Sequence, residues 1–216
     1  MKRYACRIGI IGEFILFRVI YENDTSVTLS KENDTAYVQG NNDTVRGGLG
    51  DDWVATVLRG DEPEDLSTTL YGGKGDDTLH AALTADGVPL AFPDDPGLLS
   101  TVLDGGSGDD EIGIVLAALN STLHATVLGG TGADTITVEA RYSPAEDISQ
   151  FDAPNIAFEI DGGTGADFIS VMMDQVPDGG EVIHGGDGND TIIGGGGQAF
   201  GDAGDDTISA VSYTHL

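Results

Sequence analysis

The chain has 216 residues, with 37 Asp and Glu against 9 Lys and Arg and a formal net charge of -28. That balance excludes a nucleic-acid binder, which needs a basic footprint, and a binder of anionic membrane surfaces; it fits a solvated acidic chain or one that gathers cations. Cys6 is the only cysteine, so no disulfide can form within the chain, and a hydrophobic content of 39%, spread in short β-branched runs, speaks against an acidic disordered tail.

In chain order, residues 1–22 (MKRYACRIGIIGEFILFRVIYE) are apolar but interrupted by Arg7, Glu13 and Arg18. The segment is too short and too charged to span a bilayer and lacks a small-residue cleavage site, so a strand or a cap on the downstream residues is expected. Residues 23–46 hold degenerate repeats: ENDTAY and NNDTVR keep Asp34 and Asp43 in a nine-residue register with Asp52 but have lost most glycines. Asp24, Asp34 and Asp43 sit in these degenerate turns, and ion binding is not expected at them.

From 47 to 193 one nine-residue unit recurs: at Gly47 (GGLGDDWVA), Gly72 (GGKGDDTLH), Gly105 (GGSGDDEIG), Gly129 (GGTGADTIT), Gly162 (GGTGADFIS) and Gly185 (GGDGNDTII). A relaxed seventh copy opens at Gly201 (GDAGDDTIS), inside a stretch 194–210 whose GGGGQAF run lacks the aspartate and reads as a bare turn. The last six residues, VSYTHL (211–216), read as a translated sequencing-adaptor end, with the true chain expected to continue past about Ala210.

Two apolar ladders accompany the unit. Its eighth position is Val54, Leu79, Ile112, Ile136, Ile169, Ile192 and Ile208, and the residue two before each strict copy is Val45, Leu70, Leu103, Val127, Ile160 and Ile183. Alternation with polar neighbours gives the strand period of two, so each glycine turn is expected between two short strands. Successive motif aspartates are 25, 33, 24, 33, 23 and 16 residues apart. Most of these steps exceed the roughly 18 residues of a coil made from two nonapeptides, so one glycine turn per coil is expected, all stacked on one edge, with loops of varying length on the other. The longest loops, near 85–98 and 143–156, carry proline, which excludes them from interior ladder positions. Gly72 to Gly129 and Gly105 to Gly162 are each 57 residues, which points to duplication of a two-coil block.

Glycines at positions 1, 2 and 4 permit positive φ and close backbone approach, so such a turn aims carbonyl oxygens into a common space, and the aspartate at position 6 adds a carboxylate. Carbonyls and carboxylates without soft donors suit calcium, which takes six to eight oxygens at about 2.3–2.6 Å. One turn supplies part of that shell, and a second, about 4.8 Å away at strand spacing, supplies the rest. Seven stacked turns leave up to six gaps, hence several calcium ions, up to about six. A phosphate cradle is disfavoured, because GGKGDD sets two aspartates where a phosphate would lie.

The unit G-G-x-G-x-D-x-U-x, with U a large aliphatic, resembles the repeat of the RTX (repeats-in-toxin), or haemolysin-type, calcium-binding family, over about Asp34 to Ile208. The resemblance implies an all-β fold, a right-handed parallel β-roll or β-solenoid with calcium in glycine-rich turns. It also implies export from a bacterium by type I secretion, with folding on calcium outside the cell. The implied side-chain ligands are Asp52, Asp77, Asp110, Asp134, Asp167, Asp190 and Asp206. The implied backbone ligands come from the neighbouring glycines: Gly47, Gly48 and Gly50; Gly72, Gly73 and Gly75; Gly105, Gly106 and Gly108; Gly129, Gly130 and Gly132; Gly162, Gly163 and Gly165; Gly185, Gly186 and Gly188; Gly201 and Gly204.

No catalytic motif stands out. H-E-x-x-H and G-x-S-x-G are absent, and His80, His124 and His184 read as isolated strand residues. The expected function is a non-enzymatic calcium-binding module of a longer secreted or surface protein. Two alternatives stay open: a polysaccharide-binding or polysaccharide-active solenoid using the two long loops, and an adhesin or surface-layer segment with a cell-surface partner.

Overall fold

A computed structural model describes residues 6–8, 17–21, 23–59, 65–85, 98–118, 122–142, 156–174 and 180–209. The chain winds between two sheets. Ten strands form one: β1 (Cys6–Ile8), β2 (Phe17–Ile20), β4 (Thr35–Val38), β6 (Trp53–Arg59), β8 (Thr78–Ala85), β10 (Glu111–Ala118), β12 (Thr135–Tyr142), β14 (Phe168–Asp174), β16 (Thr191–Gly194) and β18 (Thr207–Ser209). Eight form the other: β3 (Ser26–Thr28), β5 (Asp43–Leu49), β7 (Leu66–Lys74), β9 (Leu98–Ser107), β11 (Thr122–Thr131), β13 (Ile156–Thr164), β15 (Glu181–Asp187) and β17 (Gln198–Ala203). Even strands from β2 onward pair only with even strands, odd strands from β3 onward only with odd, and all these pairs are parallel. This is a parallel β-roll. The exception is β1, which runs antiparallel to β2 at the head of the ten-stranded sheet.

Alternation sets what faces inward. Val45, Leu70, Leu103, Val127, Ile160 and Ile183 are paired rung on rung across the eight-stranded sheet and are at most 1% exposed. Val54, Leu79, Ile112, Ile136, Ile169 and Ile192 do the same across the ten-stranded sheet. Ile208 departs from the expectation: it is 45% exposed, because β18 is the last described strand and has a neighbour on one side only. The core is therefore a thin aliphatic slab, one side chain deep from each sheet, and its stability comes from burying about 1.5–3 kcal/mol per large side chain.

Each glycine unit carries the chain from an odd strand to the next even one, so all seven turns share one edge. The degenerate repeats fill both edges. The β3–β4 turn, which ends at Asp34, lies under the glycine turns, and the β4–β5 turn, which ends at Asp43, lies on the opposite edge. The opposite edge also takes the Gly195–Gly197 stretch between β16 and β17, the turn that GGGGQAF was expected to make. Residues 86–97 and 143–155, which hold the long proline-bearing loops, and 210–216 lie outside the described residues.

Leu103→Ala is expected to destabilise the calcium-loaded roll by about 2–5 kcal/mol in urea denaturation, against less than about 0.5 kcal/mol for Thr69→Ala on the outer face.

Candidate metal centre

The sixth-position aspartates form one file along the turn edge. The backbone N–H of each donates to Oδ1 of the aspartate one coil later: Asp34 to Asp52, Asp52 to Asp77 and Asp77 to Asp110, each at 2.7 Å. The file continues from Asp110 to Asp134 and Asp134 to Asp167 at 2.8 Å, Asp167 to Asp190 at 2.9 Å and Asp190 to Asp206 at 3.0 Å. A second file lies outside it at position 5 and runs the other way, each N–H donating to the side chain one coil earlier. Asp51 donates to Asn33, Asp76 to Asp51, Asp109 to Asp76, Ala133 to Asp109, and Asp205 to Asn189. It lapses where position 5 is Ala133 or Ala166, which offer no side-chain acceptor.

The other carboxylate oxygen, Oδ2, of Asp52, Asp77, Asp110, Asp134, Asp167 and Asp190 is buried without a hydrogen-bond partner. Leaving such an oxygen unmatched is costly, and more so when it carries charge. Each faces the first glycine of its own copy. A Cβ built on Gly105 would lie 2.4 Å from Asp110 Oδ2 and 2.6 Å from the carbonyl oxygen of Gly129, in the next coil. The same two oxygens meet over Gly47, Gly72, Gly129, Gly162 and Gly185, the carbonyls coming from Gly72, Gly105, Gly162, Gly185 and Gly201 at 2.3–2.8 Å. In every one of the six gaps, a carboxylate oxygen and a carbonyl oxygen from successive coils thus converge over a bare Cα.

This geometry corrects the sequence reading of the glycines. Those at positions 2 and 4 do take positive φ, as at Gly73 (120°) and Gly75 (121°), and stack so closely that a Cβ on Gly163 would lie 2.1 Å from the Gly130 carbonyl oxygen. The first glycine has no positive φ. It is required by space, because any side chain there would fill the cradle.

Burial is the main cause of a rise in the aspartate pKa values. Asp77 and Asp110 are pushed up to about 7, and Asp52 and Asp134 to about 6. Asp167 is raised for the same reason. The N–H from the preceding coil lowers each of them, and the neighbouring aspartates of the file raise them again by repulsion. A file of half-matched carboxylates that repel one another is an arrangement that a shared cation relieves. Among the described residues no three His, Cys, Asp or Glu side chains gather as a metal site, so most ligands would be carbonyl oxygens. An all-oxygen donor set fits calcium and not a soft metal.

The model of the RTX calcium-binding nonapeptide repeat matches the chain at residues 27–55, 67–87 and 178–208, as four copies. The chain carries RTX calcium-binding nonapeptide repeats. The units that open at Gly105, Gly129 and Gly162 fall between the matched segments, and the roll places them in the same file as the others. No curated protein and no solved structure matches the chain.

Three residues have contacts that the sequence did not show. Asp34, set aside as degenerate, begins the RTX file, and its Oδ2 accepts the Ser30 N–H at 2.6 Å, so the end of the stack is closed by the protein itself. The 18-residue step from Asp34 to Asp52 is the signal that could have placed it. Asp43 lies on the opposite edge, where Oδ1 accepts the Thr25 N–H and Oδ2 is buried without a partner. His184 is not isolated: its ring stacks on Phe200 and reaches Asp202.

Gly105→Ala is expected to remove one calcium ion from the stoichiometry measured by isothermal titration calorimetry and to lower stability by about 1–3 kcal/mol, as over-packing does. The raised aspartates fix the sign of the pH response. An acid whose folded pKa exceeds its unfolded value takes up protons on folding between the two. The metal-free roll is therefore most stable below about pH 4 and loses stability as pH rises through about 6–7. Far-UV circular dichroism in chelator should show strand signal growing as pH falls from neutral. In calcium the response reverses, because protons displace the cation.

Proposed function

We propose that the chain is a calcium-driven folding module of a longer protein that works outside the cell. What carries this reading is the file of buried, unmatched Oδ2 atoms, each set against a carbonyl of the next coil. One cation per gap makes six ions, held by Asp52, Asp77, Asp110, Asp134, Asp167 and Asp190 together with the first-glycine carbonyls of the following copies. Asp206 closes the file as acceptor of the Asp190 N–H, and Ser30 closes it at Asp34. When bound, the ion supplies positive charge between carboxylates that otherwise repel.

The thin core supports the same reading. Ordering glycine-rich turns costs much conformational entropy, and aspartates in adjacent coils oppose stacking, so ion binding becomes folding free energy. Sites of this kind in extracellular modules work at about 10⁻⁴–10⁻³ M calcium. A chain of net charge -28 without an internal disulfide would stay open where calcium is scarce and close where it is plentiful, which is the condition outside a cell. No described helix is long and apolar enough to cross a membrane.

In chelator at neutral pH the purified chain should give a disordered far-UV spectrum, and millimolar calcium should restore strand signal. Trp53, the sole tryptophan, follows Asp52 directly and should report the first gap by a change in fluorescence. Equal strand content with and without chelator would overturn the proposal.

A further inference from the structure

We propose that His184 and Asp202 form a clasp that sets the last calcium-binding turn, a role the repeat assigns to a glycine. The inference rests on the calcium reading above and concerns how the sixth gap is built.

In the copy that opens at Gly201, Asp202 stands where the six strict copies have their second glycine. Those glycines, Gly48, Gly73, Gly106, Gly130, Gly163 and Gly186, have φ between 98° and 120°, and Asp202 has φ of 68°. Side chains rarely adopt such a conformation, although aspartate tolerates it better than most. The φ of Asp202 orients the peptide unit that it shares with Gly201, and that unit carries the Gly201 carbonyl. This carbonyl oxygen faces the sixth gap, 2.8 Å from the Cβ point of Gly185, where Asp190 Oδ2 lies at 2.5 Å. Whatever holds Asp202 therefore aims one of the gap's oxygens.

The holder is His184. Asp202 pairs with Gly186 across β15 and β17, which brings its side chain diagonally to His184 on the outer face. His184 Nδ1 lies 2.8 Å from Asp202 Oδ2, and since an ionised carboxylate only accepts, the ring nitrogen donates. The imidazole is itself fixed by stacking on Phe200, with centroids 4.9 Å apart and planes 16° from parallel.

The test compares calcium uptake of the full chain and three variants by isothermal titration calorimetry, with calcium chloride added to chelator-treated protein. His184→Ala should take up one ion fewer than wild type, or bind its weakest ion at least ten-fold more weakly, with the strand signal in excess calcium retained. Asp202→Gly, which restores the repeat's glycine, should keep the wild-type count. The double variant His184→Ala/Asp202→Gly should regain it, because glycine needs no clasp. A His184→Ala variant with both the count and the affinity of the weakest ion unchanged overturns the clasp, and so does a double variant that keeps the His184→Ala defect. Absence of calcium uptake by the wild type would instead overturn the calcium reading itself, before any variant is compared.

Discussion

A buried carboxylate with one oxygen matched and one unmatched is the constraint from which this fold follows. The matched oxygen receives the N–H of the previous coil and fixes the register of stacking. The unmatched oxygen sits against a carbonyl of the next coil, and two lone-pair-rich atoms do not hold each other without a cation between them. Register and ion demand therefore come from the same side chain. A roll with a thick core could tolerate defects along such a file, but a slab one side chain deep from each sheet cannot.

That constraint explains why the coils vary so much in length. Among the described residues the continuous carboxylate file runs along the edge with the glycine turns, and its spacing is the spacing of parallel strands. Between one turn and the next the chain crosses to the opposite edge, where it can return at once, as at Gly195–Gly197, or after a longer excursion. Steps of 16 to 33 residues between aspartates thus produce the same rung. Stability in such an array is a sum of nearest-neighbour terms, and each coil needs only a matching face on either side.

Much of this was legible in the residues. The two aliphatic ladders marked the inward positions, because alternation leaves no other face for Leu70 or Ile136. The unequal spacing of the aspartates predicted one glycine turn per coil on a shared edge. What could not be read depends on contacts between residues far apart in the chain. The first glycine of each copy looked like a conformational need, and is a spatial one set by an oxygen of the next coil. Asp34 lacks the glycines that mark a turn, and its 18-residue step to Asp52 is the one local sign of its place in the file. His184 and Asp202 are 18 residues apart, and nothing local to either shows that they meet.

The outer file at position 5 is broken, and the break has a mechanical meaning. Both joints flanking the Gly162 turn lack it, because Ala133 and Ala166 provide no side-chain acceptor, while the first four joints of the file and the Asn189–Asp205 joint keep theirs. Each of the two joints at Ala166 is thus held by one hydrogen bond fewer than its neighbours, and there the inner aspartate file and the strand ladders alone carry the stacking.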